Sequence, residues 1–156
     1  MGDECYIGVD PGKSGAIVVM YSNGEWTYMK NTEPAHDLAL FLRGHNGARG
    51  GYAAIERVSS SPQMGVKSAF TFGSSFGLLL GLLTACEVPF IQVSPRRWQA
   101  ALGCLSGGDK HVTFEAAQQL YPAGGEHVTR CMADALLLAE YCRRIRVGSP
   151  IGRIPS

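Results

Sequence analysis

The sequence predicts a single mixed α/β domain, and three observations point there. Three β-rich runs joined by turn signals open the chain, and strand-length apolar runs then alternate with helical patterns. A length of 156 residues, with 46% apolar and 17% charged side chains, suits one packed core and argues against disorder. Residues 1–148 are read as that domain and 149–156 as a C-terminal tail.

Cys5–Asp10 is β-rich and ends in the turn signal Asp10-Pro11-Gly12. Ala16–Tyr21 and Trp26–Lys30 follow as two more runs, and Asn23-Gly24 between them is a strong hairpin signal. The opening is therefore an antiparallel three-stranded meander. Thr32-Glu33-Pro34 starts a short amphipathic helix carrying Leu38, Leu40, Phe41 and Leu42. Gly44–Gly51 is a loop, and Tyr52–Glu56 is a buried strand closed by a carboxylate.

After the polar loop Ser59–Gly65, a long helix is expected from about Val66 to Cys86. Its most apolar stretch, Phe76–Cys86, falls short of the roughly 20 residues of a membrane span and is expected to be a buried helix. Gly73, Gly77 and Gly81 recur every fourth residue, on one face. Each glycine costs a helix about 1 kcal/mol relative to alanine, so the stripe calls for a reason: close approach of another helix, or a hinge. If that helix is the same one from a second copy, the protein is a two-fold dimer. Val88–Val93 is a further strand, Ser94-Pro95 leads a helix over Arg96–Leu102, Gly103–Lys110 is a loop, and helices cover Thr113–Leu120 and Cys131–Arg146.

The five cysteines contain no CxxC pair and read as reduced thiols of a cytoplasmic compartment, with neither a disulfide framework nor a zinc site. The N-terminus lacks the pattern of a secretory signal, and no membrane association is expected. The net charge of +1 hides an asymmetry. Residues 1–93 carry six Lys/Arg against eight Asp/Glu, and residues 94–156 carry eight against five. A basic C-terminal part suits a polyanion-facing surface or an ordinary solvated face.

Three acids stand in unusual places. Asp10 and Glu56 each close a buried strand, and Asp134 lies in the first turn of a helix whose centre is apolar. Carboxylates withdrawn from water repel one another and raise each other's pKa, and a divalent cation removes the conflict. All-oxygen donors suit Mg²⁺ or Mn²⁺ better than zinc. The competing reading satisfies each acid locally: Asp10 in an Asx-turn, Glu56 by Arg57 or Lys67, Asp134 as a helix N-terminal charge.

Four stretches carry a resemblance: IGVDPGKSGAI (7–17), AIERVSSSPQMGVKSAFTFGSSFG (54–77), VSPRRWQAALG (93–103) and ADALLLAEY (133–141). In that order they resemble a Holliday junction resolvase of the RuvC type, within the ribonuclease H-like superfamily, and most of all the RuvC-like resolvases of bacteriophages. The resemblance implies a mixed five-stranded sheet flanked by helices, with metal-binding acids at Asp10, Glu56 and Asp134. It also implies a homodimer that nicks two opposing strands of a four-way DNA junction, placing Gly73, Gly77 and Gly81 at the dimer contact. A phage origin would put the protein in the host cytoplasm. One departure stands out: where the bacterial enzymes have a fourth acid about one helical turn before the position of Asp134, this chain has Cys131. Three consequences are open. Two metals are held by three acids with phosphate and water, the second metal binds weakly, or junctions are bound without being cut.

Phosphodiester hydrolysis needs an activated water and a stabilised leaving oxygen, which two ions roughly 3.5–4 Å apart supply. On this reading two Mg²⁺ (or Mn²⁺) ions sit in each site and Asp10 bridges them. Lys110 resembles a basic residue that the family keeps near the scissile phosphate, with His111 a weaker choice. Phosphate contacts are assigned to Lys13, Ser14, Lys67, Arg96, Arg97 and Arg130. Phe70 is assigned to the junction centre and Phe72 to core packing.

No nucleotide cofactor is expected. A P-loop GxxxxGK[ST] ending in Gly12-Lys13-Ser14 would need glycine where Ile7 stands, and an actin-like ATPase needs a second subdomain. The remaining rivals are a junction-binding protein that does not cut and a ribonuclease H-like nuclease acting on RNA–DNA hybrids.

Overall fold

The computed structural model describes residues 4–46, 50–59, 61–122 and 127–148. The expected tail, 149–156 with Arg153, lies outside the described residues, as does part of the Gly44–Gly51 loop. Among the described residues five strands and five helices run in the order β1 (Cys5–Val9), β2 (Ala16–Tyr21), β3 (Trp26–Lys30), α1 (Ala35–Asn46), β4 (Gly51–Glu56), α2 (Val66–Ala85), β5 (Phe90–Val93), α3 (Pro95–Ala101), α4 (Lys110–Leu120) and α5 (Arg130–Val147).

The strands form one mixed sheet in the order β3-β2-β1-β4-β5. The meander β1–β2–β3 is antiparallel, while β4 pairs parallel to β1 and β5 parallel to β4. This is the α/β, mixed five-stranded sheet flanked by helices that the sequence led us to expect. Successive strand residues face opposite sides, and the two sets build two cores. Ile7, Val9, Ile17, Val19, Ala53 and Ile55 pack against Leu38 and Leu42 of α1 and Leu79 and Leu83 of α2. On the other face Tyr6, Ala54, Ala16, Val18 and Met20 pack against α5, with Trp98 of α3 and Ala117 of α4 joining them.

Helix α5 lies close on β1 because Gly8 has no side chain. A Cβ there would stand 1.8 Å from the Ala135 carbonyl oxygen and 2.4 Å from the Ala139 nitrogen. Eleven consecutive residues of α5, Met132 to Cys142, are buried, more than one stripe would supply, because the helix meets the sheet with one side and α3 and α4 with another. Glu140 enters this core only with partners: Tyr121, Arg143 and Arg144 all donate to its carboxylate at 2.7–2.8 Å.

Four expectations are corrected. Helix α2 spans 20 residues and is long and apolar enough, by length and composition, to cross a membrane; little of it is buried, with Leu79 and Leu83 alone fully so. The hydrophobic run marked an uncovered helix rather than a core helix. Helix α4 begins at Lys110, so Lys110 is a helical residue rather than a loop residue; Asp109 caps the helix by accepting from the His111 N–H at 2.9 Å. Helix α5 begins at Arg130, which moves Asp134 from the first turn to the second. The run Val88–Val93 pairs as a strand only over Phe90–Val93.

Candidate active site

The pairing of β1 with β4 sets the site. Val9 lies opposite Ile55 in a parallel register, so Asp10 and Glu56 follow side by side at the carboxyl ends of adjacent strands. Both fall on the α5 side by strand parity, sharing a face with Gly8 and Ala54. Asp134 precedes Ala135, whose carbonyl sits over Gly8, and so the helix delivers its carboxylate to the same end. The chain beyond Asp10 folds back tightly: Asn31 Nδ2 donates to the carbonyls of Asp10 at 2.7 Å and Gly12 at 2.8 Å. Gly12 has φ +110°, and the Phe72 ring lies 3.2 Å from the position its Cβ would take. Ser75 Oγ accepts from the Gly12 N–H at 3.4 Å, so the start of α2 rests on the loop that carries Asp10.

The electrostatics follow from this convergence. Burial first, then the charges of Asp134 and Glu56, push the Asp10 carboxyl up to about 8, against the opposing pull of Lys110. Glu56 is raised chiefly by burial and also by Asp134, while the hydrogen bond from Trp98 and the charge of Lys110 work the other way. Burial disfavours the Lys110 charge, yet its bond to Asp134 and the attraction of all three carboxylates win, and its pKa is raised. The Lys110 ammonium is paired with Asp134 Oδ2, whose side chain is buried, and Asp134 Oδ1 is buried with no hydrogen-bond partner among the described residues. Glu56, Lys110 and Asp134 line an open cleft of about 570 Å³, with Arg96 and Gln99 of α3 and the Leu105–Gly108 segment on its other walls.

The local partners expected on the competing reading differ from those found. Glu56 accepts from the Trp98 indole at 2.8 Å rather than from Arg57 or Lys67, and Asp134 is too far along α5 to act as its first-turn charge. No hydrogen bond reaches the Asp10 side chain from a described residue. As a donor set the three carboxylates fit a hard divalent cation: all-oxygen, mutually repelling, with one buried oxygen unpartnered. Among the described residues no three His, Cys, Asp or Glu side chains already close around one point; Lys110 holds the Asp134 oxygen instead.

The other residues singled out from the sequence fall around this end or on α2. Lys13 and Ser14 are exposed three and four positions after Asp10. Arg96 lines the cleft, and Arg97 is exposed beside it on α3. Arg130 is exposed, one turn before Asp134, with its guanidinium 4.8 Å from the Phe114 ring centre. Cys131 is partly exposed, its Sγ 3.1 Å from Thr129 Oγ1. Lys67 and Phe70 are exposed at the start of α2, whereas Phe72 packs on Gly12. Gly73, Gly77 and Gly81 are exposed, with nothing within 4 Å of the position a Cβ would take. Three residues were given no role from the sequence: Asn31, between the third run and the first helix, and Trp98 and Gln99, in the helix read over Arg96–Leu102. A polar or indole group in a short element gives no local sign of the partner it will find.

No protein-family model matches the chain, and no curated protein does. Among solved structures the fold is similar to that of Thermus thermophilus RuvC, with 19% identity over 92% of this chain and 96% of that one, at a TM-score of 0.56. It is also similar to T. thermophilus RuvC in complex with Holliday junction substrate, with 18% identity over 96% and 98% of the two chains and a TM-score of 0.57. The chain has a RuvC-like fold.

Proposed function

We propose that this protein is a structure-selective endonuclease that resolves four-way DNA junctions as a homodimer, using Mg²⁺ or Mn²⁺ held by Asp10, Glu56 and Asp134. One observation carries the reading: the three acids, drawn from β1, β4 and α5, lie within electrostatic reach of one another and of Lys110 at one end of a RuvC-like sheet, and two of them line an open cleft. Bound there, the divalent ions supply an activated water and charge neutralisation at the scissile phosphate. The chain does the rest. Lys110, whose side chain is mostly open to solvent, places a positive charge where the phosphate would lie. Arg96 at the cleft wall, with Lys13, Ser14, Arg97 and Arg130 around the same end, grips the backbone without reading sequence. Phe70, 76% exposed, is available to stack on unpaired bases.

The uncovered face of α2 supports the dimer. Val66, Phe70, Gly73, Gly77 and Gly81 share one exposed side, with Leu78 alongside. The opposite side is fastened to the sheet by Leu79 and Leu83, so this helix is better placed to meet a second copy than to enter a bilayer. Gly77→Leu should leave the fold intact, because Gly77 is exposed with nothing within 4 Å of the position a Cβ would take and leucine favours a helix by up to about 1 kcal/mol over glycine. Dimer dissociation should rise at least about tenfold, the equivalent of about 1.4 kcal/mol. Light scattering that gives the wild-type mass at every concentration would count against the dimer contact.

Cys131→Asp adds a carboxylate one turn before Asp134. The Mg²⁺ concentration that half-saturates cleavage should fall about fivefold, since affinity follows ligand charge. A Mg²⁺ titration identical to wild type would mean that this position takes no part in metal binding. The decisive experiment compares a four-way junction, linear duplex, flap and RNA–DNA hybrid in Mg²⁺ and in Mn²⁺, with Asp10→Asn beside wild type. Symmetric nicking confined to the junction is expected. A junction bound but uncut would leave a binding protein, and preferential cutting of the hybrid would make it a ribonuclease.

A further inference from the structure

We infer that Trp98 is a positioning residue for the metal site, its indole N–H holding the Glu56 carboxylate in a fixed orientation toward the cleft; the inference rests on the metal-dependent reading above. Trp98 is fully buried, in the core formed by Tyr6, Ala54 and Leu137. Packing on all sides leaves its ring no freedom, so the direction of its N–H is set by the fold. That N–H donates to Glu56 Oε2 at 2.8 Å, across 42 residues of sequence. Glu56 Oε1 accepts no hydrogen bond from a described residue, and the side chain lines the cleft. One oxygen is thus fastened and the other left for a ligand, the arrangement by which a hydrogen-bonded neighbour orients a metal-binding carboxylate.

The next residue of α3 fastens the opposite wall. Gln99 Oε1 accepts from both the N–H of Ser106 at 3.1 Å and its hydroxyl at 3.0 Å, and Ser106 O in turn accepts from Asp109 N at 3.0 Å, next to Lys110. Helix α3, only seven residues long, therefore holds Glu56 with one side chain and the approach to Lys110 with its neighbour. Satisfying a buried indole would need only some acceptor, and a backbone carbonyl would do; here the acceptor is one of the site's three acids.

The test measures Mn²⁺ binding to the metal-free protein, without DNA, by calorimetry and by electron paramagnetic resonance of the free ion. Trp98→Phe removes the donor and keeps a smaller aromatic ring in the same core position. Its dissociation constant for Mn²⁺ should rise about tenfold, the lower end of the range seen for lost outer partners of metal ligands. In a Glu56→Gln background the same substitution should change the constant less than twofold, because the group it orients has already lost its charge. A variant with benzothienylalanine at position 98, sulfur replacing the N–H at nearly unchanged shape, takes the place of Trp98→Phe if the latter does not fold. Wild-type Mn²⁺ affinity in either folded variant, or an equal loss in the Glu56→Gln background, overturns the inference and leaves the metal site standing. Wild-type protein that binds no Mn²⁺ at millimolar concentration overturns both.

Discussion

Asp10→Asn should abolish junction cleavage while leaving junction binding intact, and should make the metal-free protein more stable at alkaline pH. Loss of at least about a thousandfold in rate, about 4 kcal/mol, is expected from removing a charged ligand at the centre of the site. The stability gain follows from linkage. Folding raises the Asp10 pKa to about 8, so between the ordinary carboxylate value near 4 and about 8 the folded state holds a proton that the unfolded state has released. Wild-type stability in chelator must then decline as pH rises through that window and level off above it. Glu56, raised by burial, adds a slope of the same sign. Glu140 works in another window: its two arginines and Tyr121 hold it down at about 2, a contribution lost only as pH falls from the usual carboxylate range toward 2. Urea unfolding at pH 5, 7 and 9 separates the effects. Asn at position 10 should flatten the decline and add on the order of 2 kcal/mol at pH 9. Equal slopes in the two proteins would mean that Asp10 is not under strain from its neighbours. Divalent cation should restore wild-type stability at pH 8 and have little effect on the variant, because metal binding takes the place of the proton.

Gly8→Ala should be strongly destabilising. The added Cβ would meet the Ala135 carbonyl oxygen at 1.8 Å and the Ala139 nitrogen at 2.4 Å, both backbone atoms of a buried helix that cannot turn aside. Helix α5 must lift from β1, and Asp134 lifts with it. A destabilisation of about 3 kcal/mol or more is expected, the upper end for overpacking, with a loss of Mn²⁺ affinity larger than that of a comparably destabilised variant on the α1 side, such as Leu42→Ala. Wild-type unfolding and metal binding in Gly8→Ala would show that α5 tolerates a different seat on the sheet, and the account of how Asp134 reaches Asp10 would fall with it.

Much of the architecture is legible in local patterns because those patterns have a period. The β-rich runs with Asn23-Gly24 mark the meander, and Asp10 and Glu56 betray themselves as charged residues closing strands that are otherwise buried. Helix α2 misled because hydrophobicity records how apolar a segment is, whereas its exposure depends on whether anything in the same chain covers it. Asp109 is the reason Lys110 is helical: a capping aspartate after the Gly107-Gly108 turn starts the helix three residues earlier than the apolar pattern does.

By itself the sequence determined which residues carry charge into buried strand ends, which faces of the strands and helices are apolar, and where the chain must turn. These are consequences of neighbours a few positions apart, set by backbone geometry. Only the tertiary structure decided that β4 lies beside β1, that α5 crosses close over Gly8, that Lys110 pairs with Asp134, and that Trp98 donates to Glu56. Those choices join residues far apart in the chain, and periodicity names the face a side chain takes without naming the partner it will meet there.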